Sequence, residues 1–264
     1  MTTTGLKKLN FGGVLGHGPL PNDSQCPVCG WFDVTHPGLR QVLRDRTHGD
    51  EKLLGTLLYQ AQCKCLKVEQ KRQRDVALRW EQANLPHHAP RIFDAFEAVA
   101  GTGEMLDAAK LFATGGGPRC LVLVGSVGVG KSHMLEAICR AYLMKGKTAR
   151  YELVSSFLDR LRSTYDDGSQ EDITELMAWY ERRGVLALDD LGMERNTEWA
   201  VEKLVAVVDG RLRNHQDLVV ATNRTATQMR AYSERLASRL FGASALLGDV
   251  HVVEVRAPDY RAGS

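Results

Sequence analysis

The feature that most constrains this chain is a glycine-rich stretch between a short apolar run and a helical pattern. The stretch reads GSVGVGKS from Gly125 to Ser132, and "CLVLV" at 120–124 precedes it. It fits the pattern G-x-x-x-x-G-K-[ST] in full, and this pattern requires a strand before it and a helix after it. The glycines let backbone N–H groups surround a phosphate, while the helix amino terminus adds a favourable dipole. The stretch therefore predicts a site for a nucleoside triphosphate.

The chemistry of this loop predicts roles for its residues. We expect the Lys131 ammonium to reach the β- and γ-phosphates and the Ser132 hydroxyl to ligate Mg²⁺. The predicted nucleotide-binding residues of the loop and the position after it are Gly125, Ser126, Val127, Gly128, Val129, Gly130, Lys131, Ser132 and His133.

Two adjacent carboxylates end a second apolar run, "VLALDD" at 185–190. An acidic residue at the end of such a strand holds the Mg²⁺ shell in phosphate-loop enzymes, so Asp189 is the predicted nucleotide and magnesium ligand. Asp190 is placed to polarise the attacking water. Nucleotide kinases and small GTPases share the glycine-rich motif, so these two motifs predict nucleotide binding without specifying the reaction.

Two further patterns carry polar groups that suit this chemistry. "VVATN" ends in Asn223, whose amide is predicted to sense the γ-phosphate and orient water, unless it is an ordinary turn residue. "ERLASRLF" places Arg235 and Arg239 four residues apart, on one helix face. These arginines form surface ion pairs, or one of them completes the active site of a neighbouring subunit.

The alternation of strand and helix patterns predicts an α/β fold with a parallel sheet covered by helices on both faces. Thr225 is expected to cap a single helix over 228–241, and "NLPHHAPRI" at 84–92 is expected to be a linker because it carries two prolines. The predicted organisation is a flexible amino terminus, a small cysteine-bearing module with a basic helix, and a nucleotide-binding domain. Their predicted ranges are 1–22, 23–83 and 84–264.

Four cysteines lie in two pairs within the predicted small module, and they are Cys26, Cys29, Cys63 and Cys65. Four thiolates form a closed tetrahedral zinc site, whose role would be structural. The alternative is four unliganded thiols, and His36 and His48 are possible substitute ligands. The remaining Cys120 and Cys139 sit in apolar patterns and are expected to be core residues.

Charge and hydropathy limit the partners and the cellular compartment that we expect for the chain. The net charge is +2, but residues 1–90 carry 12 basic against 8 acidic side chains and the rest carry 22 against 24. The basic run at 64–79 is a solvated helix face or a contact for phosphates or an acidic partner. No apolar run approaches the ~20 residues of a membrane span, so we expect a cytoplasmic protein with reduced cysteines and no membrane contact.

The order of these motifs, ending in "DYR", resembles the ATPase core of DnaC/DnaI-type replicative helicase loaders in the AAA+ superfamily. The resemblance spans roughly residues 84–261 and includes "LPHHAPRIFDAFEA" before the core. It implies a five-stranded parallel sheet and an ATP-dependent homo-oligomer. It also implies that Asn223 is the first sensor, Arg239 the arginine finger and Arg261 the second sensor. Asp190 stands where many AAA+ proteins have glutamate, which implies slow turnover.

The resemblance further implies a function in loading a hexameric replicative DNA helicase onto single-stranded DNA, with ATP, Mg²⁺ and Zn²⁺ as cofactors. DNA would be contacted by basic and aromatic side chains after the second strand and by a further aromatic residue just past the two carboxylates, although the aromatic ones could equally be packing residues. The predicted DNA contacts are Arg160, Arg162, Tyr165 and Trp199. The alternatives are an IstB-like transposition helper ATPase and a zinc-bearing adaptor that binds nucleotide without hydrolysing it.

Overall fold

The computed structural model describes residues 36–61, 64–86, 90–166, 170–182, 184–242 and 249–260. The chain divides into two compact units, Met1–Ala77 and Leu78–Ser264. The first three helices along the chain are α1 (Pro37–Arg46), α2 (Glu51–Ala61) and α3 (Lys64–Gln82). The division between the two units falls within α3. In the first unit, a small cluster of leucines from α1 and α2 is buried: Leu39, Leu43 and Leu54.

The second unit contains the predicted parallel sheet. Its strands are β1 (Cys120–Gly125), β2 (Ala149–Leu153), β3 (Val185–Leu191), β4 (Asp217–Thr222) and β5 (Val250–Val255). They lie in the order β2-β3-β4-β1-β5, and every neighbouring pair is parallel. The fold class predicted from the alternation of patterns is therefore confirmed for this unit. With β1 near the centre, the loop that follows it lies at the carboxyl edge of the sheet, where ligands bind in open α/β folds.

Helices cover both faces of the sheet. They are α4 (Gly103–Thr114), α5 (Lys131–Met144), α6 (Val154–Asp166), α7 (Gln170–Arg182), α8 (Glu198–Arg213), α9 (Ala226–Tyr232) and α10 (Glu234–Phe241), and a short 3₁₀ helix spans Phe93–Ala95. Successive residues of β1 point to opposite faces. Leu121 and Leu123 therefore pack with α4 and α5, whereas Val122 packs with α6 to α10.

The two cysteines expected in the core are fully buried, as predicted. Burial raises the pKa of the Cys120 thiol to about 12 and also raises that of Cys139. Both thiols therefore stay protonated at neutral pH and act as small apolar side chains.

The prediction of a single helix over 228–241 is wrong, because the segment belongs to two helices, α9 and α10. Ser233 has an extended backbone (φ −158°), and its hydroxyl accepts a hydrogen bond of 3.3 Å from the Leu236 N–H at the start of α10. Thr225 caps α9 as expected, and with Gln228 it forms a reciprocal capping box. Ser233 thus ends one helix and begins the next within a continuous apolar pattern, and the chain changes direction there before it reaches Arg239.

The predicted linker is ordered at its start and joins the edge of the sheet. The Ala83 carbonyl accepts from the Tyr151 N–H at 2.9 Å, and the Asn84 amide donates to the Tyr151 carbonyl at 3.0 Å. Because of its two prolines, this segment shows no helical pattern in the sequence. In the structure, the outer edge of β2 supplies its hydrogen-bond partners. Among the described helices, none is both long enough and apolar enough to cross a bilayer.

Candidate nucleotide site

The glycine-rich loop joins β1 to α5, as its pattern predicts. Gly128 and Gly130 have φ values of 83° and 95°, which side-chain-bearing residues rarely adopt. A Cβ on Gly130 would lie 2.7 Å from the Phe96 ring, and one on Gly128 would lie 1.6 Å from a carboxylate oxygen of Asp259. The loop therefore has room only for glycine at these two positions, and its backbone remains available to surround a phosphate.

Lys131 lies at the centre of the site and is only 5% exposed. Its ammonium donates to the carbonyls of Gly125 (2.8 Å) and Ser126 (2.7 Å) and to Oδ1 of Asn223 (2.7 Å). Burial lowers the pKa of Lys131, while Asp189 and Asp190 act in the opposite direction. The fold thus brings the predicted lysine and the predicted sensor asparagine, 92 residues apart, into contact.

The two carboxylates lie at an irregular end of β3. The register with β4 shifts between Leu188 and Leu191, and Asp190 has a φ of 59°. Bulges and left-handed residues of this kind re-aim side chains next to functional sites. Asp190 is exposed and faces the cavity described below, whereas Asp189 is buried, with 1% exposure.

Both oxygens of the Asp189 carboxylate accept hydrogen bonds. Oδ1 accepts from the Asp190 N–H at 3.0 Å, and Oδ2 accepts from the Tyr151 hydroxyl at 2.6 Å. Burial, together with the neighbouring Asp189 carboxylate, raises the pKa of Tyr151, so its hydroxyl remains a donor. No sequence pattern marked Tyr151, because its partner lies on a different strand.

A cavity of about 490 Å³ opens over the loop, within the usual range for a small-molecule site. Its lining combines polar groups of Lys131, Ser132 and Asp190 with the aromatic rings of Phe96 and Tyr260. A buried ammonium, a glycine loop and adjacent carboxylates suit a triphosphate with Mg²⁺, and aromatic walls suit a base. The residues present therefore fit ATP and its metal ion.

One wall of the cavity comes from the segment before α4, whose individual residues the sequence did not single out. Phe96 packs edge-to-face on His133, with ring centroids 5.1 Å apart, and His133 Nε2 lies 2.8 Å from the Ile92 carbonyl. Arg91 pairs at 2.7 Å with Glu136, which is fully buried on α5. The only sequence signal was the likeness of this whole segment to the region before the helicase-loader core.

A second wall comes from the segment after β5. The Tyr260 N–H donates to the Gly128 carbonyl at 3.2 Å, and its hydroxyl donates to Glu97 at 3.0 Å. The hydrogen bond to Glu97 raises the pKa of Tyr260. Tyr260 therefore connects the glycine-rich loop to Glu97, which lies in the segment before α4.

The predicted arginine finger lies elsewhere on the unit. Arg239 forms an ion pair with Asp209 of α8, with Nη2 3.5 Å from Oδ2 and a closer contact through Nε. Arg239 is not among the described residues that line the cavity. Within one chain, it therefore does not reach the nucleotide site.

Two of the predicted DNA contacts lie side by side. The Arg162 guanidinium lies 5.0 Å from the centroid of the half-buried Trp199 ring, which also packs against the core. Arg160 is exposed and lies 3.7 Å from the buried Glu152 carboxylate. The side chain of Tyr165 lies outside the described residues.

The predicted zinc ligands also fall outside the described part of the chain. Cys26, Cys29, Cys63 and the side chain of Cys65 belong to this group, as does Arg261. Among the described residues, no group of three or more His, Cys, Asp or Glu side chains could hold a metal ion. His36, a possible substitute ligand, caps α1 by accepting from the Leu39 N–H at 3.3 Å, and His48 lies in the turn that follows α1.

Comparisons with known proteins show which proteins the chain is similar to. A protein of Mycobacterium tuberculosis named as an ATP-binding protein in an insertion sequence is 28% identical over 201 residues, which cover 72% of this chain and 76% of that protein. The chromosomal replication initiator protein DnaA of Chlorobaculum tepidum is 27% identical over 142 residues, or 53% of this chain and 27% of DnaA. The chain thus spans about a third or less of the length of the DnaA relatives it matches.

Solved structures show the same fold at low identity. The DnaC helicase loader has a TM-score of 0.52 at 24% identity, covering 63% of this chain and 97% of that chain. DnaA bound to AMPPCP and single-stranded DNA has a TM-score of 0.57 at 20% identity, covering 66% and 52%. The sequence profile described as IstB-like ATP binding protein matches residues 44–263. The chain therefore belongs to the IstB-like ATP-binding protein family.

Proposed function

We propose that this chain hydrolyses ATP and uses the cycle to load a replicative DNA helicase onto single-stranded DNA. The observation that carries the ATPase part is the convergence of Lys131, Asn223 and Asp190 around one cavity beside the glycine loop. Lys131 would hold the β- and γ-phosphates, while Asn223 and Asp190 would orient the attacking water. Ser132 and Asp189 would hold Mg²⁺, which neutralises charge on the phosphates.

The helicase-loading part is supported by two observations. The fold likeness to the DnaC helicase loader covers 97% of that chain, and the likeness to DnaI covers 94% of that chain. Four cysteines precede the core in two pairs, as in the small zinc module that the resemblance to loaders implies. Such a module would bind the helicase, while ATP binding would drive assembly and hydrolysis would drive release.

A second candidate function is that of a helper ATPase in transposition. The observation that favours it is the insertion-sequence relative, which matches most of both chains. In that role, the DNA would be duplex and the partner a transposase. An adaptor that binds nucleotide without hydrolysis is distinguished from both by a phosphate-release assay.

One binding experiment separates the two ATPase functions. The full chain, with ATP and Mg²⁺, is titrated into a labelled 30-nucleotide single strand and into the matching duplex, and a hexameric replicative helicase is then tested for co-purification. We expect tighter binding to the single strand and retention of the helicase. Preference for the duplex, with no helicase retained, would favour the transposition role instead.

A further inference from the structure

We infer that Tyr151 is a positioning residue for magnesium: its hydroxyl fixes the Asp189 carboxylate in the orientation that receives the ion. The inference rests on the proposed function, because it requires that Asp189 face the Mg²⁺ of bound ATP. The observation that carries it is a buried hydrogen bond of 2.6 Å between the Tyr151 hydroxyl and Asp189 Oδ2.

The strand register explains why these two residues meet. Tyr151 of β2 pairs with Ala187 of β3, two residues before Asp189. Residues two apart on a strand point to the same face, so both side chains point to one side of the sheet. Tyr151 and Ala187 pack in the cluster that contains α5, the helix that begins at the phosphate loop. The carboxylate is therefore directed to the face on which the loop residues Lys131 and Ser132 lie.

The hydrogen bonds of Asp189 leave it able to bind a metal. An ionised carboxylate has about four lone-pair sites, and the Tyr151 hydroxyl and the Asp190 N–H occupy one on each oxygen. The remaining sites are the ones that would contact Mg²⁺ or its water. Because both donors are held by strands, they restrict rotation of the carboxylate before the ion arrives. Partners of this kind typically change metal affinity by ~10–100-fold when they are removed.

Tyr180 offers a matched control. Its hydroxyl is also buried and donates at 2.6 Å to a buried carboxylate, that of Glu152. The Tyr180 hydroxyl donates to Glu152, whereas the Tyr151 hydroxyl donates to Asp189, the predicted magnesium ligand. Loss of the Tyr180 hydroxyl therefore reproduces the loss of a buried hydrogen bond without touching the metal site.

The test compares Tyr151→Phe with Tyr180→Phe in the full chain. Calorimetry measures the affinity for AMPPCP in EDTA and over a series of Mg²⁺ concentrations. We expect Tyr151→Phe to raise the half-saturating Mg²⁺ concentration by about tenfold or more, while its affinity in EDTA stays within about twofold of the wild type. Tyr180→Phe should leave both quantities unchanged. The thermal midpoint of each variant reports whether the fold is intact.

Three results would overturn the inference. One is an unchanged Mg²⁺ dependence in Tyr151→Phe, and another is an equal loss of affinity with and without Mg²⁺, which would identify the hydroxyl as packing support. The third concerns a double-mutant cycle with Asp189→Asn: the effect of Tyr151→Phe should vanish in that background, so a persisting effect excludes action through Asp189. A wild-type chain that binds AMPPCP with no response to Mg²⁺ would instead refute the proposed magnesium site, and this inference with it.

Discussion

At the scale of single residues, the site depends on how its charges are held before any nucleotide binds. The Lys131 ammonium is nearly buried and is held by three oxygen acceptors, two of them carbonyls of its own loop. A buried cation lowers the cost of bringing phosphate oxygens into the same place, because the interaction is poorly screened there. Lys131 should therefore contribute to nucleotide affinity rather than to the core.

Replacing Lys131 by alanine tests this residue. A hydrogen bond to a charged group contributes ~1.5–3 kcal/mol, so Lys131→Ala should weaken ATP binding by at least about tenfold. The thermal midpoint should also fall, because the variant loses three hydrogen bonds of a nearly buried ammonium, and its measurement shows whether the fold is intact. Calorimetry with ATP and Mg²⁺ measures the affinity, and Lys110→Ala, an exposed lysine of α4, is the control. Wild-type affinity in Lys131→Ala would refute the phosphate-loop assignment.

At the scale of secondary-structure elements, the break between α9 and α10 sets the direction of the helix that carries Arg239. Ser233 makes the break by leaving helical geometry and capping α10, as described above. The apolar residues Leu236, Ala237 and Leu240 of α10 are then buried against the core. The orientation of Arg239 thus depends on one capping hydroxyl and one apolar face.

The Ser233 cap can be tested by its effect on stability. Loss of a serine cap typically costs ~0.5–2 kcal/mol, so Ser233→Ala should lower the free energy of unfolding by about 1 kcal/mol. Urea denaturation followed by circular dichroism measures this change. Ser238→Ala, at an exposed position of the same helix, should leave stability the same or slightly higher, because alanine favours helix interiors. Equal stability of the two variants would exclude the cap.

At the scale of the whole molecule, the proposed zinc module and the nucleotide-binding unit should function separately. The two cysteine pairs lie in the first compact unit, and the phosphate loop lies in the second. The purified chain should contain about one zinc ion, since four thiolates satisfy one tetrahedral site. Cys63→Ser should lose the metal and the helicase, yet bind ATP as the wild type does. Metal analysis of freshly purified, unchelated protein that finds no zinc would reject the module.

The proposed function of Arg239 requires an assembly of several chains, which we expect to form with ATP. Within one chain, the structure pairs this arginine with Asp209, away from the cavity. An arginine supplied to the γ-phosphate in phosphate-loop enzymes is worth ~10³–10⁵ in rate. Arg239→Ala should therefore bind ATP normally and hydrolyse it poorly, while Arg235→Ala, one turn earlier on α10, should hydrolyse it as the wild type does.

Mixing two inactive variants tests whether Arg239 acts between subunits. Arg239→Ala and Lys131→Ala, combined with DNA at concentrations that allow assembly, should recover part of the phosphate release, because some interfaces then pair an intact loop with an intact arginine. No recovery on mixing would indicate action within one chain. Full activity of Arg239→Ala alone would leave the arginine as a surface ion pair with Asp209.

The sequence by itself determined the elements and the phosphate loop of this protein. Strand and helix patterns repeat with periods of about 2 and 3.6 residues, so local spacing was enough to predict a parallel sheet covered by helices. The number of five strands came from the resemblance to helicase loaders. The loop was readable because its glycines, lysine and serine lie within the eight residues 125–132, and because Gly128 and Gly130 need backbone angles that few residues adopt. The break at Ser233 was missed because the apolar spacing continues across it.

Only the tertiary structure decided which distant groups meet around that loop. Tyr151 reaches Asp189 through the register of two strands, and Phe96 and Tyr260 enclose the cavity from segments before and after the core. None of these contacts leaves a local pattern, since each joins residues separated by tens of positions or more. Likewise, the pairing of Arg239 with Asp209 depends on how α10 packs beside α8. Periodicity is a property of neighbouring residues, whereas a site is made by chain segments that folding brings together.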